Sequence, residues 1–376
     1  MQEASLIPAE AYKYIYYIVV GLIGLIYYSG ITRASANNLI ERPAKSRTFI
    51  TVFTIVIILF IGLRPISAVF SDMMGYASMF NSSHIVDTAK NEEGLWWIAD
   101  ACKSFGFGVN IWFLAVCTLY YGLTLRACKL LSPNNWDHLF LTFLLAFSTL
   151  AYATNGIRNG LALASLTFGL ALFITKKKRA RLFSIVFFAF AFATHKSSVL
   201  PLICFFAAYY LVNFKRALLV WILAIVLSLT IGESISDFFF GFGFDERLEG
   251  YLNDTNYEGF SHAGFRWDFL LYSIMPIILG YYIVIKKGVR NRIYEILLST
   301  YVLANAFWVM VIRAQFSDRF AYLSWFLYAI VIAYPLFSTN IWGNKQGRIA
   351  KRILYIHLAF TLFMNLIYYT LIKTVL

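Results

Sequence analysis

The chain has 376 residues, 60% of them hydrophobic and 14% charged, with a formal net charge of +13. A soluble domain carries about a quarter charged residues, so this composition argues against several water-soluble domains and predicts a single helical membrane bundle over residues 1–376. The positive charge would point to nucleic acid in a soluble protein, but in a membrane protein lysine and arginine serve to hold loops in the cytoplasm, so no nucleic-acid partner is expected.

Residues Met1 to Glu10 are polar and lack a basic stretch, so no cleavable signal peptide is expected and the first helix acts as its own insertion signal. Apolar run length predicts helices at 14–29, 48–63, 109–126, 138–153, 157–175, 182–194, 198–213, 217–232, 269–286, 293–312, 319–337 and 353–373. The expected fold is therefore all-α and polytopic, with about twelve spans. Charge sets the expected direction. With the N-terminus outside, every inside loop is basic, and those loops hold 21 of the 32 lysines and arginines against Glu41, Asp137 and Glu295 as the acidic residues on that side. Both ends are then expected outside.

Two segments, 64–108 and 233–268, are neither spans nor short turns, and both fall outside. Segments of this length are functional or disordered. Trp96, Trp97, Tyr251, Tyr257 and Trp267 argue for order. The run Phe238-Phe239-Phe240-Gly241-Phe242-Gly243-Phe244 suits a segment dipping into the membrane interface or a simple surface anchor.

Ionisable residues at span ends are costly and mark candidate sites. On the outside edge these are Arg64, Asp72, Arg158, His195, Arg266, Arg313, Asp318 and Arg319. Arginine there runs against the positive-inside bias. Its planar fork binds phosphate oxygens in pairs, so a ring of arginines suits a lipid-linked diphosphate, the plainer alternative being arginines that snorkel to lipid headgroups. Gly156, Gly160 and Ala164 recur every four residues behind Arg158 and let another helix approach closely. The start of that helix adds its dipole to the local positive field. His195 can accept a proton as a neutral imidazole or bond a sugar hydroxyl. Asp72 is the alternative base, or else the partner of an arginine. Cys102, Cys117, Cys128 and Cys204 have no paired spacing and are read as packing residues. No metal motif, DxD or phosphate-binding glycine loop is present, so neither a metal nor another cofactor is expected.

Three blocks resemble a known family. They are Gly62-Leu63-Arg64 with Asp72 and Tyr76; Asn155-Gly156-Ile157-Arg158-Asn159-Gly160-Leu161-Ala162 followed by Lys176 to Arg181 and Phe192-Ala193-Thr194-His195-Lys196-Ser197-Ser198; and Asp318-Arg319-Phe320-Ala321-Tyr322. Together, over roughly 50–340, they are similar to the EpsG-like branch of the Wzy polysaccharide polymerases. That resemblance implies a GT-C-like glycosyltransferase of the bacterial cytoplasmic membrane. Such an enzyme joins oligosaccharide repeat units carried on undecaprenyl diphosphate into an O-antigen, capsule or exopolysaccharide, alongside a flippase and a chain-length regulator. Arg158, Arg313 and Arg319 are then the expected diphosphate ligands, with Arg64 and Arg266 in support and His195 or Asp72 as base. An O-antigen ligase would use the same chemistry. A flippase is the alternative from another class, though no internal repeat of the kind such proteins carry is evident.

Overall fold

A computed structural model of the chain describes residues 6–31, 34–41, 48–82, 92–175, 178–241, 265–313 and 317–372. Every regular element among them is helical. Eight helical stretches are long and apolar enough to cross a membrane: Ala11–Ser29, Val109–Leu131, Ile157–Thr175, Phe214–Gly232, Trp267–Lys286, Arg292–Met310, Arg319–Ser338 and Gly343–Tyr368. Thr48–Gly62 and Lys196–Tyr210 are apolar but shorter. The chain is an all-α polytopic membrane protein. The two remaining sequence-predicted spans take other forms: 138–153 is broken in two, and 182–194 lies in a helix whose first turn carries Lys178, Arg179 and Arg181.

The chain forms two compact units. The first comprises Met1–Ser198 and Ala333–Leu376. It holds α1 (Ala11–Ser29), α2 (Ala36–Ile40), α3 (Thr48–Gly62), α4 (Met73–Asn81), α5 (Gly94–Ser104), α6 (Val109–Leu131), α7 (Trp136–Leu144), α8 (Thr149–Thr154), α9 (Ile157–Thr175) and α10 (Lys178–Thr194), and later Gln346–Leu362. Helix α9 is its core, packed on α6, α8 and α10, with 72% of the span buried. The small-residue stripe works unevenly. A Cβ on Gly160 would lie 2.6 Å from the Tyr152 carbonyl oxygen, so α8 and α9 touch backbone to backbone there. Ala164 is buried, whereas Gly156 has room for a side chain.

The break between α7 and α8 frees carbonyls in an apolar setting, where each unsatisfied group is costly. Side chains from distant helices meet that demand. Tyr16 donates to the Leu144 carbonyl at 2.7 Å and Tyr17 to Phe147 at 3.3 Å. Tyr120 donates to Thr149 at 3.1 Å, and the Thr149 hydroxyl reaches back to Phe143. Arg64 closes the far end of α8. Its Nη2 donates to the Thr154 carbonyl at 2.9 Å and its Nη1 to Ile61 at 2.7 Å. The guanidinium is only 2% exposed and sits 5.2 and 5.4 Å from the ring centres of Phe70 and Phe113. One cation thus serves the carboxyl ends of two helices, where the helix dipole favours it.

The segment 64–108, expected from sequence to be a large outside loop that is neither a span nor a short turn, contains a short 3₁₀ turn (Ala68–Phe70) together with α4 and α5. Both helices pack on α6, and α5 also packs on α10. Trp112 of α6 is the anchor: Phe80 and Trp96 stack on it at 5.3 and 5.5 Å, and Tyr76 meets it edge-on at 6.5 Å. Contacts of this kind contribute about 0.5–1.5 kcal/mol each beyond their buried area.

The second unit, Val199–Ile332, holds α11 (Val199–Tyr210), α12 (Phe214–Gly241), α13 (Trp267–Gly280), α14 (Arg292–Met310), α15 (Ser317–Trp325) and the start of α16 (Tyr328–Ser338). Helix α14 is central and packs on α11, α12, α13 and α15. A buried polar chain fixes it. Trp221 donates to Asn305 at 2.8 Å and Asn305 donates to Ser324 at 3.0 Å, while Trp325 and Tyr301 both bond Ser273. Helix α12 kinks at Ile231 (φ −130°, ψ 25°). The side chains of Phe238–Phe240, residues 242–264 with Tyr251 and Tyr257, and 83–91 lie outside what the structure describes.

Replacing Arg64 with leucine strands the Ile61 and Thr154 carbonyls. At about 1–3 kcal/mol for each buried acceptor left unpaired, the loss expected is about 2–6 kcal/mol. Unfolding of purified R64L in detergent micelles measures it, and a midpoint equal to that of the unmutated protein would remove Arg64 from this role.

Candidate active site

Helices α9 and α10 run antiparallel and pack along their length, so the start of α9 and the end of α10 lie at the same end of the pair. Arg158 occupies the first turn of α9, and His195 directly follows the last residue of α10. The two are held by a residue that the sequence reading did not select. Glu92 accepts from Arg158 Nη1 at 2.8 Å through Oε2. Its Oε1 lies 2.9 Å from His195 Nδ1 and accepts the Lys196 backbone N–H at 3.1 Å. Arg158 Nε donates to the Tyr76 hydroxyl at 3.0 Å. The three ionisable side chains are largely enclosed, at 13% exposure for Arg158, 11% for Glu92 and 20% for His195.

Burial alone would raise the Glu92 carboxyl. The His195 contact, the Arg158 charge and the Lys196 amide outweigh it and hold the group down at about 2. Glu92 is therefore an anion at any physiological pH.

Backbone contact explains how Glu92 is delivered. A Cβ on Gly94 would lie 2.4 Å from Thr194 Oγ1 and 2.8 Å from the Thr194 backbone nitrogen. Only glycine lets the start of α5 sit this tightly on the end of α10, and Trp96 locks the same turn onto Trp112. The carboxylate two residues before Gly94 is thus set against the residue following Thr194. In sequence Glu92 is one of two adjacent glutamates; Glu93 beside it is exposed. Hydrophobic pattern and charge do not separate the two, and the partners lie 66 and 103 residues away. Tyr76 was visible only as part of the first motif.

The other candidate residues are placed differently. Arg64 is committed to the two helix-end carbonyls and makes no salt bridge to Asp72. Asp72 precedes α4 with its side chain exposed, and its backbone N–H donates to Asn155 Oδ1 at 3.1 Å, which ties the start of α4 to the turn before α9. In the second unit Arg266 makes a two-point pair with Asp268, at 2.9 and 2.7 Å, and lies 3.6 Å over the Phe269 ring. Arg313 Nε donates at 3.3 Å to the Ser228 carbonyl, near the kink of α12. Its terminal Nη groups have no hydrogen bond among the described residues. Arg319 is exposed in the first turn of α15. Among the described residues no three His, Cys, Asp or Glu side chains gather as a metal set.

The first-unit cluster offers a cation fixed at a helix start and an imidazole with one nitrogen engaged by an anion. It can bind a negatively charged group and move a proton within a few ångströms of each other. No curated protein and no solved structure is similar enough to count as a match. A profile of the EpsG family matches residues 47–374, nearly the whole chain and every element of the cluster. The chain therefore belongs to the EpsG family of polysaccharide polymerase-like membrane proteins.

Proposed function

We propose that the protein polymerises oligosaccharide repeat units carried on undecaprenyl diphosphate, at the outer face of the bacterial cytoplasmic membrane. The observation that supports this most is the joining of Arg158 and His195 through Glu92 within the matched region. In the reaction, a sugar hydroxyl of the incoming lipid-linked unit attacks the anomeric carbon of the growing chain. The new C–O bond forms as the bond to the donor diphosphate breaks, and undecaprenyl diphosphate leaves with the electron pair. The hydroxyl proton passes to His195. Charge grows on the leaving diphosphate, and a fixed guanidinium such as Arg158 stabilises it without reorganising.

Taken by themselves, the arginines of the second unit suit phosphate to different degrees: the terminal groups of Arg313 keep their capacity to donate, Arg319 is exposed, and Arg266 would bind phosphate by exchanging Asp268 for it. Arg64 supports the site from behind, by holding the turn from which Arg158 projects. Asp72 stays the alternative base, at an exposed position outside the hydrogen-bonded cluster. The basic charge of the loops taken as inner supports both chain ends lying on the outer side under this reading. A flippase and a chain-length regulator are the expected partners.

A strain lacking the gene should accumulate single repeat units on the lipid carrier, seen by mass spectrometry of extracted lipid-linked glycans; absence of such units would remove the polymerase reading. Complementation with R158A should restore normal protein abundance and no long chains, with a rate loss of about 10²–10³. An unchanged chain-length ladder with that variant would overturn the role given to Arg158.

A further inference from the structure

We infer that Glu92 is a positioning residue that holds His195 as the Nδ1–H tautomer and so reserves Nε2 as the site of proton acceptance. The tautomer follows from geometry; its use in transfer rests on the polymerase reading above.

An ionised carboxylate can only accept hydrogen bonds. Glu92 Oε1 lies 2.9 Å from His195 Nδ1, so that nitrogen must carry the proton. A neutral imidazole has one N–H, which leaves Nε2 with its lone pair. No described residue bonds Nε2, and the ring keeps 20% of its surface open. The carboxylate is itself held ionised by bonds from Arg158 Nη1 and from the Lys196 amide, and its depressed pKa of about 2 agrees. When Nε2 takes the hydroxyl proton, the ring becomes a cation, and Glu92 lies beside it to stabilise that charge. The proton then leaves to solvent and the neutral ring returns.

The arrangement has a second consequence. Its two oxygens bind one functional group each, so the base and the phosphate-binding cation cannot drift apart independently. Gly94 against Thr194 and Trp96 against Trp112 fix the segment that brings the carboxylate in. The catalytic role stays with the ring, because Glu92 is occupied on both oxygens and acts through its partners.

The test uses the full-length protein in detergent with ¹⁵N-labelled histidine, of which the chain has five. The His195 signals are identified by their loss in H195Q. Expected is a protonated Nδ1 and a bare Nε2, with that signature weakened or reversed in E92Q and kept in E92D. With lipid-linked glycan extracted from the deletion strain as substrate, E92Q should lose about 10²–10⁴ in turnover and E92D should retain at least a tenth of it. G94A should displace the carboxylate and reduce turnover while the residue itself remains. A bare Nδ1 in the unmutated protein, or full turnover in E92Q, overturns the inference. Full turnover in H195A would instead remove the His195 base from the polymerase reading, while the ring spectrum still reports on Glu92.

Discussion

In a membrane every backbone carbonyl released from a helix must find a donor, and this fold is arranged around carbonyls that a continuous helix would have satisfied. The chain interrupts α7 and α8 in its first unit and kinks α12 in its second. Donors reach both places from far away in sequence. Tyr16, Tyr17 and Tyr120 serve the first break, Arg64 closes its end, and Arg313 bonds a carbonyl near the kink. The break lets α8 end and α9 begin within a few residues, which places Arg158 in a helix first turn. An uninterrupted helix through 138–175 would have no helix start at which to put it.

Electrostatics then act on a frame already rigid. Arg158 and His195 lie at the adjoining ends of neighbouring helices, and the carboxylate of Glu92 joins them. Burying a charge is costly unless it is paired and hydrogen-bonded. Glu92 meets that condition with an arginine, an imidazole and a backbone amide, and its partners meet it in turn. Such networks are strong when every member is satisfied and poor when one is lost. Packing on Trp112 and the absence of a Gly94 side chain hold the members at bonding distance, so the polar network depends on apolar contacts made around it.

The arginines share a residue type without sharing a situation. Arg64 turns to main-chain oxygens between two phenyl rings, Arg266 faces Asp268 over Phe269, Arg158 faces Glu92 and Tyr76, and Arg313 uses one nitrogen and keeps the rest. Residue type and position at a span end suggested one ring of equivalent cations. Whether a guanidinium meets a carbonyl, a carboxylate or an aromatic ring depends on which element folds against it, and one-dimensional pattern carries little of that information.

The sequence by itself determined the helical membrane class, the position of most of the long apolar helices and the segments from which Arg158 and His195 come, because apolar run length is a local property. Its family motifs are local too, and they pointed to the family that the profile match then showed. Tertiary structure decided the break at 145–148, the helices within 64–108, the commitment of Arg64 to carbonyls and the choice of Glu92 over Glu93. Each of these turns on contact between segments tens of residues apart: tyrosines of α1 at the break, Trp112 under the 64–108 helices, and Thr194 against Gly94. Such contacts exist only once the helices have packed, and it is packing that gave one of two identical glutamates a buried place between an arginine and a histidine.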